Sequence, residues 1–259
     1  MRPPQPPAFA RIAGHPLRWQ LLTSLAGTDR RVRELVALTG QPQSLVSYHL
    51  HLLRDAGLVR ARRSSFDGRD VYYHLDLGHC SRALADAGEA LHPGLRPAWP
   101  AIPPAAAPGE PHRVIFLCTG NSARSQMAEA LIRRRSRGRV RAVSAGSKPK
   151  PVHPNTARTM AGYGITAARW QSRHVSQFSG QPFQYVITLC DKVREVCPEF
   201  PGQPAYLHWS IADPAASGGT ADETWPAFQQ TAAELDTRIG YLLAGLAAGV
   251  TSATSPGRY

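Results

Sequence analysis

Residues 114–129 read Val114-Ile-Phe-Leu-Cys118-Thr-Gly-Asn-Ser-Ala-Arg124-Ser-Gln-Met-Ala-Glu129. The apolar run Val114–Leu117 has the form of a buried strand, and a helical pattern resumes at Gln126. Between them lies a small, polar loop, Thr119, Gly120, Asn121, Ser122, Ala123, Arg124 and Ser125. A loop of that length at a strand-to-helix junction can turn several backbone N–H groups toward one centre, where the start of the helix also favours negative charge. Such a cradle holds a tetrahedral oxyanion. Arg124 can grip two of its oxygens as a fork, and the same positive field favours the nucleophilic thiolate of Cys118. Ser125 is placed to hydrogen-bond that sulfur. No Gly-x4-Gly-Lys-Ser/Thr and no Gly-x-Gly-x2-Gly after a strand occurs, so nucleotide binding is not expected.

Working outward, strands and helices alternate from residue 112 on. Strands are expected at Val114–Leu117, Val140–Ser144, Tyr185–Leu189 and Tyr206–His208, and helices at Gln126–Arg135, Asn155–Gly162 and Phe228–Leu246. Alternation of this kind builds a parallel sheet covered on both faces, with ligands at the carboxyl ends of its strands. Cys118, Cys190 and Asp213 all fall at such ends. Asp213, in Asp213-Pro214, can carry a proton to or from a leaving oxygen. Cys190 and Cys197 stand seven apart. One continuous helix would separate them by about 10 Å, too far for a disulfide unless the segment unwinds. Spacing alone leaves open whether they are reactive or inert.

The first third is different. Helical periodicity is expected over Pro16–Leu25 (Leu17, Leu21, Leu22, Leu25), Arg31–Leu38 (Val32, Leu35, Val36, Leu38) and Ser44–Ala56 (Leu45, Leu50, Leu52, Leu53). Leu58–Arg62 and Val71–Leu75 read as a hairpin turned at Asp67-Gly68, and His79–Leu91 as a last helix. Two short helices and a hairpin make a winged helix-turn-helix, a mainly α domain over 8–92. Its second helix would enter the major groove of double-stranded DNA with Gln43, Ser44, Ser47, Tyr48 and His51. Arg60, Arg62, Arg63 and Arg69 around the hairpin suit phosphates. Residues 93–111 read as an extended linker, since seven of the twenty residues from His92 to Pro111 are proline. An α/β domain is expected over 112–250, and the tail from Thr251 looks turn-like.

The composition agrees. The 259 residues suffice for two domains, and the formal charge of +12 divides into +4 over 1–111 and +8 over 112–259, as suits oxyanionic or polyanionic partners. No run approaches the ~18 apolar residues of a membrane span, and the N-terminus lacks the apolar core of a secretory signal. A cytoplasmic protein without membrane contact is expected. Cys80, Cys118, Cys190 and Cys197 are too few for a disulfide framework and point instead to catalysis or metals. Cys80, His79 and His92 are the only constellation near the last helix, too sparse to predict a metal site.

Two resemblances sharpen these readings. Gln41-Pro-Gln-Ser-Leu-Val-Ser-Tyr-His-Leu-His-Leu-Leu-Arg-Asp-Ala-Gly-Leu-Val59 resembles the ArsR-type regulators, which implies DNA binding and a homodimer through the first domain. The arsenic-responsive members carry a Cys-x-Cys pair at the recognition helix, and no cysteine lies in 1–79 here. The sensing element is therefore not legible. Residues 113–246 resemble the low-molecular-weight tyrosine phosphatase fold, and within it the thioredoxin-coupled arsenate reductases. The matching stretches are Cys118–Ala130, Ser144-Ala-Gly146, Val186-Ile-Thr-Leu-Cys190 with Cys197-Pro198, and His208-Trp-Ser-Ile-Ala-Asp213-Pro-Ala215.

That likeness implies that Cys118 attacks arsenate held by the loop and Arg124, that Asp213 protonates the leaving oxygen, and that Cys190 and then Cys197 pass the oxidation on. No tightly bound cofactor is expected; thioredoxin or another thiol would restore the enzyme. The alternative is a protein-tyrosine phosphatase that hydrolyses phosphate esters through a Cys118 phosphocysteine. Such enzymes usually carry a tyrosine pair after Asp-Pro, where this chain has Ala215-Ala216. The family's potassium site uses residues matched by Asn121 and Ser144 together with a Thr and an Asp. Val175 and Gln177 stand at those last positions, so no potassium is expected.

Overall fold

The computed structural model describes residues 5–95, 110–166, 170–216 and 218–248, and divides into two units near residue 101. Most of the expected linker and the tail from Thr251 lie outside the described residues. Pro93–Leu95, at the expected start of the linker, forms one 3-10 turn.

The first unit runs α1 (Ala8–Ala13), α2 (Pro16–Ser24), β1 (Arg30–Arg31), α3 (Val32–Thr39), α4 (Gln43–Asp55), β2 (Val59–Arg63), β3 (Val71–Leu75) and α5 (Leu77–Leu91). Its antiparallel sheet has the order β1-β3-β2, with Val59 opposite Leu75 and Arg63 opposite Val71. Gly40, in the left-handed region at φ 65°, ends α3 where a side chain would be strained. The core is Leu17, Leu21, Leu22, Leu25, Leu35, Val46, Leu50, Leu53, Leu58 and Val59. Several expected core residues are not in it: Leu38 is 49% and Leu45 38% exposed, Leu52 is half-buried, and Val32 and Val36 only pack against its edge. The amphipathic faces of these short helices are narrower than the leucine pattern suggests, and Val46 with His49 takes the inward positions of α4.

The second unit runs β4 (His112–Cys118), α6 (Arg124–Ser136), β5 (Val140–Gly146), α7 (Pro154–Gly162), β6 (Tyr185–Thr188), α8 (Asp191–Glu195), β7 (Ala205–His208) and α9 (Ala221–Ala247). All strands are parallel in the order β5-β4-β6-β7. Val114, Ile115, Phe116 and Leu117 are buried, as a central parallel strand with both faces covered requires. From β4 the chain first goes to β5 on one side and later to β6 on the other. The carboxyl end of β4 is therefore the point where the winding reverses, the place at which open α/β sheets bind ligands. Cys118 sits at it.

The last helix begins seven residues before the expected Phe228. Pro226 obscured its first turns in the sequence, but Thr220 and Glu223 form a capping box that starts it. The Cys190–Cys197 segment is not one long helix: α8 covers five residues and ends before Val196.

Candidate active site and nucleic-acid face

Cys118 is the last residue of β4 and is 2% exposed. Its Sγ lies 3.0 Å from Ser125 Oγ and accepts the backbone N–H of Asn121 at 3.2 Å. Asn121 is left-handed at φ 45°, a conformation that Asn tolerates better than most residues, and this turns its amide toward the sulfur. The outside of the loop is tied to neighbouring segments. Lys148 N donates to Thr119 O and Lys150 N to Gly120 O, while His153 N and Thr156 Oγ1 both donate to Ser122 O. Gly146, opposite Cys118 in the ladder, is required by close approach: a Cβ there would stand 2.7 Å from Thr119 O and 2.9 Å from Asn121 N.

Behind the loop lies a buried polar network. Asn121 Nδ2 donates to Ser125 Oγ at 2.8 Å and to Ser144 Oγ at 2.9 Å. Asn121 Oδ1 accepts from Gln126 Nε2 and from Arg173 N. Ser144 Oγ donates to Glu129 Oε2 at 2.7 Å, and Arg173 Nη2 lies 2.5 Å from the same oxygen. Glu129, Gln126 and Arg173 were not singled out from the sequence. Glu129 and Gln126 follow the loop at helical spacing on its inner face, which is the signal that could have found them; Arg173 carries none.

These donors do not fit a potassium ion. The Asn121 carbonyl oxygen already takes two N–H groups, Ser144 points its hydroxyl at Glu129, and a guanidinium stands at that carboxylate. Val175 and Gln177 lie in the 3-10 turn Val175–Phe178.

Two further groups reach the rim. Arg124 Nη1 donates to Ile211 O at 3.0 Å, and its Nη2 to Asp213 Oδ2 at 3.0 Å. Asp213 is partly exposed, and its other oxygen accepts Ala215 N. Cys190 follows β6 and is buried; Thr119 Oγ1 is 3.3 Å from its Sγ. Burial pushes the Cys190 thiol up, as does its neighbour Cys118, while the Arg124 guanidinium and the Thr119 hydroxyl pull it down. Cys197 is half-buried, and burial raises its thiol to about 12. All four cysteines are free thiols. Asp191, next to Cys190, accepts from Ser210 Oγ at 2.8 Å and lies 3.1 Å from His208 Nε2.

In the first unit, Gln43, Ser44, Ser47, Tyr48 and His51 are all exposed on α4, opposite its buried Val46, His49, Leu50 and Leu53. His51 is paired with Asp55 at 3.2 Å. Arg63 and Arg69 are exposed at the hairpin, and Arg62 is half-buried. Arg60 Nε lies 2.6 Å from Asp76 Oδ2, so its charge is already matched. Cys80, His79 and His92 do not converge: the Cys80 thiol faces Leu58 O at 3.4 Å, the His79 ring lies against Gly57, and His92 Nδ1 accepts Gly94 N. Among the described residues no group of three His, Cys, Asp or Glu could hold a metal. Among them, too, no helix is long and apolar enough to cross a membrane.

A cysteine at the end of a central parallel strand, a loop ahead of a helix whose Asn121 N–H points at the sulfur, and an Arg–Asp pair at the rim define an enzyme class that handles oxyanions by thiol chemistry. The family model for low molecular weight phosphotyrosine protein phosphatases matches residues 113–252, more than half of the chain, and the chain belongs to that family. The model for bacterial regulatory proteins of the arsR family matches residues 15–61. The arsenate reductase of Halalkalibacterium halodurans is 36% identical over 126 residues, spanning 49% of this chain and 91% of that protein. The arsenate reductase of Bacillus subtilis is 33% identical over the same shares. A crystal structure of arsenate reductase from Archaeoglobus fulgidus is 28% identical over 50% of this chain and 98% of its own, with a TM-score of 0.42.

Proposed function

We propose that this chain joins a DNA-binding regulator of the arsR type to an arsenate reductase working by a relay of Cys118, Cys190 and Cys197. The domains would be 8–92 and 112–250, with 93–111 as linker. The observation that carries the relay is that Cys190 meets the loop holding Cys118 through Thr119, at 3.3 Å. A phosphatase needs no second thiol there.

The Cys118 thiolate attacks arsenic(V), the S–As bond forms, and an arsenate hydroxyl leaves as water, its second proton supplied by Asp213. Arg124 and the N–H groups of residues 119–125 hold the remaining oxygens. The Cys190 thiolate then attacks Cys118 Sγ: an S–S bond forms, the S–As bond breaks, and arsenic keeps the electron pair and leaves as arsenite. Cys197 attacks Cys190, releasing Cys118 as thiolate and leaving a Cys190–Cys197 disulfide. Thioredoxin or another external thiol reduces it by exchange. The shortness of α8 supports this last step, because five residues of helix are readily unwound.

In the first unit, the exposed polar face of α4 and the cations Arg63 and Arg69 support major-groove and backbone contacts on double-stranded DNA. Helix α5 buries none of its residues fully and exposes Leu84 and Leu91, which supports its use in a homodimer. A cytoplasmic location follows from a DNA partner and thiol-dependent turnover. The test is arsenate-dependent NADPH oxidation with thioredoxin and thioredoxin reductase, run beside hydrolysis of an aryl phosphate. Reduction of arsenate that needs all three cysteines is expected. Hydrolysis without reduction would mean a phosphocysteine enzyme instead.

A further inference from the structure

The relay makes no use of the charge cluster behind the nucleophile loop. Glu129 is largely buried, and one of its oxygens receives both the Ser144 hydroxyl and the Arg173 guanidinium. Arg133 reaches the other oxygen at 3.2 Å, but its own side chain is 63% exposed against 27% for Arg173. Solvent discounts the outer pair, which leaves Arg173 as the main fixed cation of the cluster.

The donor directions can be worked out from the partners. An ionised carboxylate only accepts, so the Ser144 proton points to Glu129. The Ser144 oxygen is then left to accept from Asn121 Nδ2. The Asn121 amide cannot flip, because its Oδ1 takes the backbone N–H of Arg173 and the Gln126 amide. Its second N–H therefore goes to Ser125 Oγ. With that oxygen engaged as acceptor, the Ser125 hydroxyl is free to donate to Cys118 Sγ. Arg173 acts at both ends of this chain: its side chain pairs with the Glu129 oxygen that takes the Ser144 hydroxyl, and its N–H fixes the Asn121 amide.

We infer that Arg173 is a positioning residue for the nucleophile, a guanidinium built in behind the loop that orients Ser125 toward Cys118 through Glu129, Ser144 and Asn121. The inference rests on the reading of Cys118 as the nucleophile, and it assigns this network an internal cation rather than a bound metal ion.

The test is alkylation of Cys118 by iodoacetamide across pH, in full-length protein carrying Cys190→Ser and Cys197→Ser so that one reactive-site thiol is followed by peptide mass. Arg173→Met should slow alkylation at neutral pH by about 2- to 10-fold, the equivalent of one neutral hydrogen bond, and displace the profile to higher pH. Glu129→Gln, which keeps the shape and can donate as well as accept, should displace it in the same direction. Arg173→Lys should restore most of the wild-type rate. Profiles that overlay the wild type in folded variants would overturn the inference. So would a Lys variant as impaired as Met, which would mean that the side chain only fills space. Alkylation needs no arsenate, so a chain that fails to reduce arsenate yet shows these shifts would remove the reductase reading and leave this one standing.

Discussion

Arg124 and Asp213, 89 positions apart, hold each other at 3.0 Å at the rim of the second unit's sheet. The residue that would grip the oxyanion and the residue that would protonate its leaving oxygen are thus matched before any anion arrives. The second nitrogen of Arg124 is fixed on Ile211 O, so the guanidinium plane is set by the segment that carries Asp213. An incoming oxyanion competes with the Asp213 carboxyl group for the same fork.

That geometry predicts unequal effects. Asp213→Asn should lower the first chemical step by roughly two to four powers of ten, the usual size of a general-acid contribution, while oxyanion affinity is largely kept because Arg124 and the loop are untouched. Arg124→Lys should lose both, since an ammonium reproduces neither the planar fork nor the Ile211 contact. Pre-steady-state release of product from an aryl phosphate or arsenate measures the first step, and inhibition by phosphate measures affinity. A lysine variant near wild-type rate would make Arg124 structural.

The three cysteines should separate by step. Cys118→Ser abolishes arsenate reduction and aryl phosphate hydrolysis alike. Cys190→Ser and Cys197→Ser stop reductase turnover with thioredoxin but leave hydrolysis in place. Mass spectrometry after a single arsenate turnover should find a Cys118–Cys190 disulfide in the Cys197→Ser protein. Wild-type turnover by either variant would dismiss the relay.

A pH dependence follows from burial. The Cys197 thiol is raised to about 12, so in the folded resting geometry it is almost wholly protonated at neutral pH, and its thiolate fraction grows about tenfold per pH unit. Formation of the Cys190–Cys197 disulfide should therefore accelerate steeply from pH 6.5 to 8.5, more than the first step does. Rapid-quench trapping of the two disulfides reads this directly. A flat profile would mean that unwinding of α8 exposes Cys197 to water before it reacts.

The parts of this design legible in sequence were those whose residues adjoin. Strand, loop and helix around Cys118 could be read because an apolar run, the seven-residue loop Thr119 to Ser125 and a helical pattern follow one another. The winged helix could be read for the same reason, through its hairpin turn at Asp67-Gly68. Contacts between distant residues left no local trace. Arg173 reaches Glu129 across 44 positions, and Asp191 meets His208 across 17; only the fold brings them together. Leucine spacing overstated the core of the first unit, because Leu38 and Leu45 lie at the edges of short helices where water still reaches them.

Gly146→Ala tests the loop geometry without touching a reactive group. The added Cβ would meet the backbone at Thr119 and Asn121, neither of which can swing aside as a flexible side chain would. The loop must shift by several tenths of an ångström, and the Asn121 N–H and Ser125 contacts to Cys118 loosen. Oxyanion affinity and first-step rate should both drop about tenfold or more, the scale on which small misplacements act, with little change in DNA binding. An unaltered phosphate inhibition constant would show that the loop tolerates the displacement.

DNA binding by the full chain should fall steeply with salt, because phosphate contacts release counterions. Arg63→Ala should weaken binding to all sequences and reduce the salt slope by about one. Arg60→Ala should matter less, since Asp76 already matches its charge. Ser47→Ala and His51→Ala should instead relax sequence preference with the slope unchanged. Fluorescence anisotropy over a salt series on promoter and scrambled duplexes separates these cases. Equal losses from Arg60 and Arg63 would place the hairpin differently on the duplex.

Release from DNA by arsenite should not depend on Cys80. Burial raises its thiol to about 11, with the Asp76 charge adding to the effect, and its Sγ is turned to Leu58 O. A soft metalloid needs thiolates, preferably several, and this side chain offers one protonated sulfur. No cysteine lies on α4, where two close thiols could disturb the DNA face. If the chain responds to arsenite, the reactive thiols are those of the second unit, Cys118, Cys190 and Cys197, which the proposed relay would convert between thiol and disulfide. Cys80→Ser should therefore leave arsenite-dependent release unchanged, whereas Cys190→Ser with Cys197→Ser should remove it. Anisotropy titrations of arsenite into preformed protein–DNA complexes decide the matter. Loss of the response in Cys80→Ser alone would return the sensor to the first unit and require that α5 open to expose the thiol.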